Sequence, residues 1–287
     1  MFRPDVGQSY HSVILSRVTI TSRQNPLVAR FRDAARGDAG GPILLDGAHL
    51  VADAVRACLS IRLAAVTPAS RAKDDVRELL DALSRLQVEV ATVSAPVMEA
   101  MSPVRSSSSI VALADRRAIS DGQIYAGEAP LVVVAIDVQD PGNVGAIVRV
   151  AEAAGATGMI AAGASANPWG WKALRGSMGS ALRLPTLCGV GADKAVDDAT
   201  SRRCRVVAAV PRDGQSVFEV DLTGRVAVLI GGEGHGLAPS LLDAADVRVT
   251  IPMQPPVDSL NAAVTAALIL YEARRQRSAI GREKRET

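Results

Sequence analysis

Three short stretches carry residues able to do chemistry where loops usually carry none. "DPGNVGAIVR" (Asp140–Arg149) follows an apolar run and packs a turn, a carboxamide and a lone arginine into one strand-to-helix unit. "GGEGHGL" (Gly231–Leu237) sets Glu233 in a bare glycine turn, a backbone that a ligand can approach closely. "IPMQPPVDSLN" (Ile251–Asn261) is stiffened by Pro252, Pro255 and Pro256 and ends on Ser259, Leu260 and Asn261. Ser259 reads as a helix N-cap, with Asp258 beside it to suit the helix dipole. Asn261 then falls in the first turn of an apolar helix, where a buried carboxamide needs a partner. The glycine turn fails as a dinucleotide fingerprint, because the third glycine position after Gly232 and Gly234 holds Leu237. Nicotinamide chemistry is therefore set aside.

These loops need strands to end on. In open α/β sheets, ligands bind beyond the carboxyl ends of the strands. "LVVVAID" is an unbroken apolar run of the kind found in central parallel strands. Further strands read at "GMIAAG", "CRVVAAV", "RVAVLIGGEG" and "DVRVTIPM", with helices at 143–154, near 193–201 and at 238–245. A long helix is expected from Ser259. Its Leu260, Val264, Leu268 and Tyr271 form one stripe, and Ala262, Ala263, Ala266 and Ala267 a small-residue surface suited to close packing.

The first half alternates strand signals with helix signals, strands at "GPILLDG", "IRLAAVTP", "VEVATVS" and "SSIVALAD", helices at "GAHLVADAVRACL", "SRAKDDVRELLDALSRL" and "APVMEAMSPV". It reads as a smaller α/β domain with a mainly parallel sheet. The polar, glycine-bearing stretch before Pro130 reads as a linker. The organisation expected is a leader over 1–20, an α/β domain over 21–118, a linker over 119–130 and a second α/β domain over 131–287.

The 287 residues are 48% hydrophobic, enough for a sizeable core. Net charge is +2, from 32 basic and 30 acidic residues, which neither demands nor excludes nucleic acid. Aromatics are scarce at 3 Phe, 3 Tyr and 2 Trp, so any RNA contact leans on arginine and backbone rather than stacked bases. Cys58, Cys188 and Cys204 are isolated and only three histidines accompany them, so no metal site is expected. No signal-peptide layout and no run of roughly 20 apolar residues is present, so a cytoplasmic protein with no membrane partner is expected. The leader arginines Arg17, Arg23, Arg30, Arg32 and Arg36 form either a solvated face or a phosphate-binding face. "RSSSS" (Arg105–Ser109) reads as a plain loop or a phosphate cradle. The basic tail "RRQRSAIGREKRET" reads as a solvated end or an RNA clamp.

Taken in order, the three loops resemble the SpoU branch of the knotted SPOUT RNA methyltransferases. Asn143 and Arg149 match the family's first motif, Glu233 in its glycine turn the second, and Ile251-Pro252-Met253 with Ser259-Leu260-Asn261 the third. "WKALRGSMGSALRLP" (Trp171–Pro185) resembles the segment between motifs, with Arg175 and Ser177. The likeness covers about residues 130 to 277. The first half more loosely resembles the ribosomal-protein-like RNA-binding domain that precedes the catalytic domain in several members. Gly232 and Pro255 depart from the usual pattern, where a residue with a side chain and a glycine, respectively, are common.

The resemblance implies a C-terminal trefoil knot, S-adenosylmethionine as methyl donor and an RNA ribose 2′-hydroxyl as acceptor. Gly231, Gly232, Ile251, Met253 and Leu260 would hold the cofactor, largely through backbone. Arg149, Asn143, Glu233, Ser259 and Asn261 would form the catalytic set. Arg23, Arg30, Arg175 and Ser177 would contact RNA. Arg149 is expected to grip a phosphate and lower the hydroxyl's pKa by its charge, since a guanidinium is effectively always protonated. It lies six residues after Asn143, about 600° around a helix at 100° per residue, and points away from it. One of the two is then expected to serve a site shared with a second subunit, as in the family's homodimers. Ribosomal RNA is the favoured substrate and transfer RNA the alternative. A non-catalytic RNA-binding or ribosome-assembly protein that keeps the fold is the competing class.

Overall fold

The computed structural model describes residues 18–37, 40–104 and 108–286. Arg17, most of the leader, and Arg105 of the serine loop lie outside them, as do the tail side chains from 280 onward. The chain divides into two compact units. One takes the described residues of Met1–Ala35 and Leu44–Asp115, the other Arg36–Ile43 and Arg116–Thr287.

The first unit runs α1 (Pro26–Arg36), β1 (Ile43–Asp46), α2 (Ala48–Arg56), β2 (Ile61–Val66), α3 (Pro68–Arg71), α4 (Asp74–Arg85), β3 (Glu89–Thr92), α5 (Ala95–Met101) and β4 (Ile110–Ala114). The apolar runs become buried strands, as alternation with helices dictates. The stretch read as one helix over 70–86 is two. Thr67 caps α3 by accepting from the Ser70 amide, and Lys73 turns extended before α4 starts on Asp74 and Asp75. The strand order is β1-β4-β2-β3. This sheet is mixed rather than mainly parallel: β2 runs parallel to β3 but antiparallel to β4, with Ile110 opposite Val66. A buried apolar run can pair with a parallel or an antiparallel neighbour, and β4 takes the antiparallel direction against β2.

The second unit holds the three loops. It runs α6 (Asp121–Ile124), β5 (Leu131–Ile136), α7 (Pro141–Ala154), β6 (Gly158–Ala162), α8 (Trp171–Ser177), β7 (Thr186–Val190), α9 (Ala192–Ser201), β8 (Arg205–Ala209), β9 (Gln215–Ser216), β10 (Val226–Gly231), α10 (Pro239–Asp243), β11 (Val247–Thr250) and α11 (Ala262–Glu286). Residues 119–130 include α6, closed by a Ser120–Gln123 capping box, and Ile124 and Tyr125 are buried. The strand order is β7-β6-β5-β10-β8-β11-β9, and every neighbouring pair is parallel. Strands β5 and β6 are buried along their whole length, as a sheet covered on both faces requires. After β5 the chain moves outward to β6 and β7, and then crosses to the other side for β8, β10 and β11. The order therefore reverses between β5 and β10, the place where open sheets open a crevice.

The amino ends of these strands are tied differently. Arg277 of α11 donates to the carbonyls of Leu222 (2.9 Å), Ala129 (2.6 Å), Gly224 (2.6 Å) and Pro130 (3.5 Å). Arg225 donates to the carbonyls of Arg202 (3.0 Å), Glu128 (3.1 Å) and Gly127 (3.3 Å). The last helix is thereby fastened to the segments entering β5 and β10.

Candidate active site

Each loop is set by its own local chemistry. Asp140 caps α7, its Oδ1 accepting the Asn143 amide at 2.8 Å, and Pro141 fills the first turn where its missing N–H costs nothing. Asn143 is so placed at the mouth of the β5/β10 crevice. Asp137, just past β5, adopts a left-handed conformation (φ 57°) and its Oδ1 accepts the Ala164 amide at 2.7 Å. Its carbonyl oxygen lies only 2.0 Å from where a Cβ on Gly232 would sit. Residue 232 must therefore be glycine in this chain, which accounts for one departure from the family pattern.

The third loop corrects an expectation. Ser259 does not cap the last helix. Asn261 does, with Oδ1 accepting the amides of Ala263 (2.9 Å) and Val264 (3.3 Å). The helix starts at Ala262, so 251–261 stays a loop, and Ser259 and Leu260 face a cavity. Capping uses only the oxygen of Asn261. Its Nδ2 donates to Glu233 Oε1 (3.0 Å) and to Asn143 Oδ1 (3.1 Å). Asn143 Nδ2 donates to the same Glu233 oxygen at 2.6 Å. One residue from each loop thus meets in a closed triangle of hydrogen bonds, spanning up to 118 positions of sequence.

Two cavities flank this triangle. The first, about 550 Å³, is lined by Gly231, Gly232, Ile251, Met253 and Leu260, together with Glu233, Ser259 and Asn261. That volume suits a small-molecule site. Its walls are mostly apolar or bare backbone, and Glu233 and His235 are its titratable lining. A glycine-walled, weakly charged pocket at strand ends fits an adenosyl cofactor held by backbone groups. The second cavity, about 690 Å³, is lined by Asp137, Gln139, Asp140 and Asn143, and shares Gly232, Glu233, His235 and Gly236 with the first.

Sequence reasoning missed one wall of the first cavity. Ala209, Val210 and Pro211, at the end of β8, line it, and so do Thr265 and Ile269 of α11. The run "CRVVAAV" halted by Pro211 was the available signal, since the crevice rule applies to β8 as much as to its neighbour β10.

The other expected site residues lie elsewhere. Arg149 is exposed on α7, lines neither cavity, and its side chain makes no hydrogen bond or ion pair among the described residues. Arg175 is exposed on α8. Ser177 was expected to contact RNA, but it is fully buried: its hydroxyl donates to the Leu174 carbonyl (2.8 Å) and accepts the Ala181 amide (3.4 Å). It faces α7, where a side chain on Gly145 would collide with the Ala173 carbonyl at 2.4 Å, so that packing leaves no room for a ligand. In the first unit Arg23 donates to the Pro96 carbonyl (3.1 Å) and pairs with Glu99 (3.6 Å), while Arg30 is exposed on α1. No group of three or more His, Cys, Asp or Glu could hold a metal among the described residues.

The SpoU rRNA Methylase family model matches residues 130–271. An uncharacterized tRNA/rRNA methyltransferase of Synechocystis is 32% identical over 264 residues, which cover 90% of this chain and 94% of that protein. This chain belongs to the SpoU methylase family. A 23S rRNA (uridine(2479)-2'-O)-methyltransferase of Streptomyces viridochromogenes is 39% identical over 142 residues, 48% of this chain and 50% of that protein. The match spans about half the length of that relative. Among solved structures, the SpoU methyltransferase AviRb from Streptomyces viridochromogenes, in complex with the cofactor AdoMet, aligns with a TM-score of 0.81 and 29% identity, over 89% of this chain and 99% of that one. An RNA 2'-O ribose methyltransferase aligns with a TM-score of 0.78 and 30% identity, over 91% and 100%. In this SpoU chain the three motifs converge where the strand order reverses, and the polar triangle lies between two cavities.

Proposed function

We propose that this SpoU chain transfers a methyl group from S-adenosylmethionine to a ribose 2′-hydroxyl of ribosomal RNA. The observation that carries this reading is the Asn143–Glu233–Asn261 triangle, in which Asn261 lines the first cavity, Asn143 the second and Glu233 both. The names of relatives that methylate 23S rRNA at a 2′-oxygen support the substrate class.

The cofactor supplies an electrophilic methyl group on sulfur. Gly231, Gly232, Ile251, Met253 and Leu260 hold it in the first cavity. Asn143 and Asn261 fix the site's polar geometry, and Ser259 steadies the third loop. Positioning of this kind supplies most of what a displacement at a good leaving group requires. Arg149 grips an RNA phosphate and lends its charge to the reacting hydroxyl. It does so in the site of a second copy, because on its own chain it lies outside both cavities. The exposed stripe of Val264 (46%), Leu268 (45%) and Tyr271 (51%) on α11 supports a homodimer through this domain. The segment over 231–262 is proposed to be threaded as a trefoil knot, an exception to the usual avoidance of threading. The likeness to solved SpoU structures favours it. Residues 21–118 are proposed to bind RNA, with Arg23 and Arg30 contributing there and Arg175 on the catalytic domain. No helix among the described residues is long and apolar enough to cross a membrane, and a cytoplasmic location is proposed.

The test is methyl transfer from labelled S-adenosylmethionine to separated ribosomal and transfer RNA. Label on ribosomal RNA is expected. Label on transfer RNA alone would move the substrate, and cofactor binding with no label on either would favour the non-catalytic class.

A further inference from the structure

We propose that Glu233 takes the proton of the acceptor hydroxyl. The inference rests on the reading that a ribose 2′-hydroxyl is methylated, and it assigns a step that the reading leaves open.

The donor and the acceptor must meet at the boundary between the two cavities. Glu233 and His235 are the titratable residues that line both, whereas Asp137 and Asp140 line only the second. Glu233 is the one held in place. Its Oε1 accepts Nδ2 of Asn143 (2.6 Å) and Nδ2 of Asn261 (3.0 Å). Its Oε2 makes no hydrogen bond among the described residues. The side chain is therefore oriented through one oxygen and leaves the other to a ligand. His235 has no comparable anchor. Arg149 of a second copy, proposed above to reach this site, is a guanidinium with five donors and no acceptor to offer a proton.

A carboxylate suits the timing of the step. It is far too weak a base to ionise a ribose hydroxyl beforehand. As the 2′-oxygen bonds to the methyl carbon, however, the oxygen gains positive charge and its proton becomes strongly acidic. The carbon–sulfur bond breaks and its electron pair goes to sulfur. The O–H pair stays on oxygen, and the proton passes to Glu233 Oε2. A positioned acceptor of this kind contributes about 100- to 10,000-fold.

Glu233→Gln separates this role from support. Glutamine keeps Oε1 as acceptor for both asparagines and replaces the free oxygen by an amide nitrogen that takes no proton. In the full-length chain, cofactor affinity by equilibrium dialysis, RNA affinity and melting temperature should stay at wild-type levels. The single-turnover rate of ribose methylation should fall about 100-fold or more, and Glu233→Asp should recover part of it. A Glu233→Gln variant that methylates within about threefold of wild type overturns the proposal and leaves the parent reading standing. Failure of the wild type to methylate ribose would sink the parent reading and this step with it.

Discussion

The two ends of the seven-stranded sheet are built on opposite plans. At the amino ends, Arg277 and Arg225 spend their guanidinium donors on backbone carbonyls. Burial pulls the Arg277 pKa down from the usual arginine range, against the opposing charge of Asp221. Such arginines close the fold and have little left for a ligand. At the carboxyl ends, side chains bond to one another, glycines replace side chains, and polar valences stay open toward the cavities. One sheet thus separates the groups that stabilise it from the groups that act. Helix α11 joins the two plans, with Asn261 at the working end and Arg277 at the fastened end.

The contrast can be broken from either side. Arg277→Ala leaves several carbonyls without their donor. It should cost about 3 kcal/mol in urea unfolding while the folded fraction binds cofactor with unchanged affinity. Asn143→Ala should do the reverse, lowering the methylation rate about 100-fold with little change in unfolding midpoint. A large loss of stability there would mean that the triangle is mainly structural.

Asn261 should show both effects, and chemistry can part them. Asn261→Ala loses the cap, about 1 kcal/mol of stability, and activity with it. Asn261→Asp keeps a capping oxygen but sets a second carboxylate against Glu233. Near-native stability with lost activity is expected, and full activity would show that the Nδ2 bonds are dispensable. Glycines sharpen the same comparison. Gly232→Ala must push against the Asp137 carbonyl and should weaken cofactor binding about tenfold, measured by calorimetry. Gly224→Ala, with open space around its Cβ at the fastened end, should change affinity and stability by less than about 0.5 kcal/mol.

The smallest effect is electrostatic. The hydrogen bond from Arg275 holds the Glu272 carboxyl below the usual carboxylate range, outweighing its burial. A folded-state pKa below the unfolded one adds stability above the unfolded value, about 4.3, and that contribution is lost as pH falls through the folded value. Glu272→Gln should therefore lower stability slightly at neutral pH, flatten the acid side of the curve and leave its low-pH limit almost unchanged.

Much of the site was legible because residue type and spacing act locally. Asp140-Pro141 announces a helix start, and proline and glycine mark strand ends. The convergence of Asn143, Glu233 and Asn261 followed once the strands were placed. What escaped depended on tertiary choice. Ser259 and Asn261 are both good caps, and only the path of the loop over the cavity selects Asn261. The burial of Ser177 is set by the close packing of α8 on α7, which a serine in a polar-looking segment does not reveal. The antiparallel direction of β4 escaped because apolar runs carry no direction. Val210 and Pro211 enter the site because β8 neighbours β10, a pairing that strand composition leaves open.

The most direct test of the account is nucleoside analysis of ribosomal RNA methylated by the wild-type chain, with Asn143→Ala in parallel. The account predicts label in a single 2′-O-methylated nucleoside, nearly absent from the variant while its cofactor binding persists. Label in a base methyl group, or equal 2′-O-methylation by the variant, would contradict it.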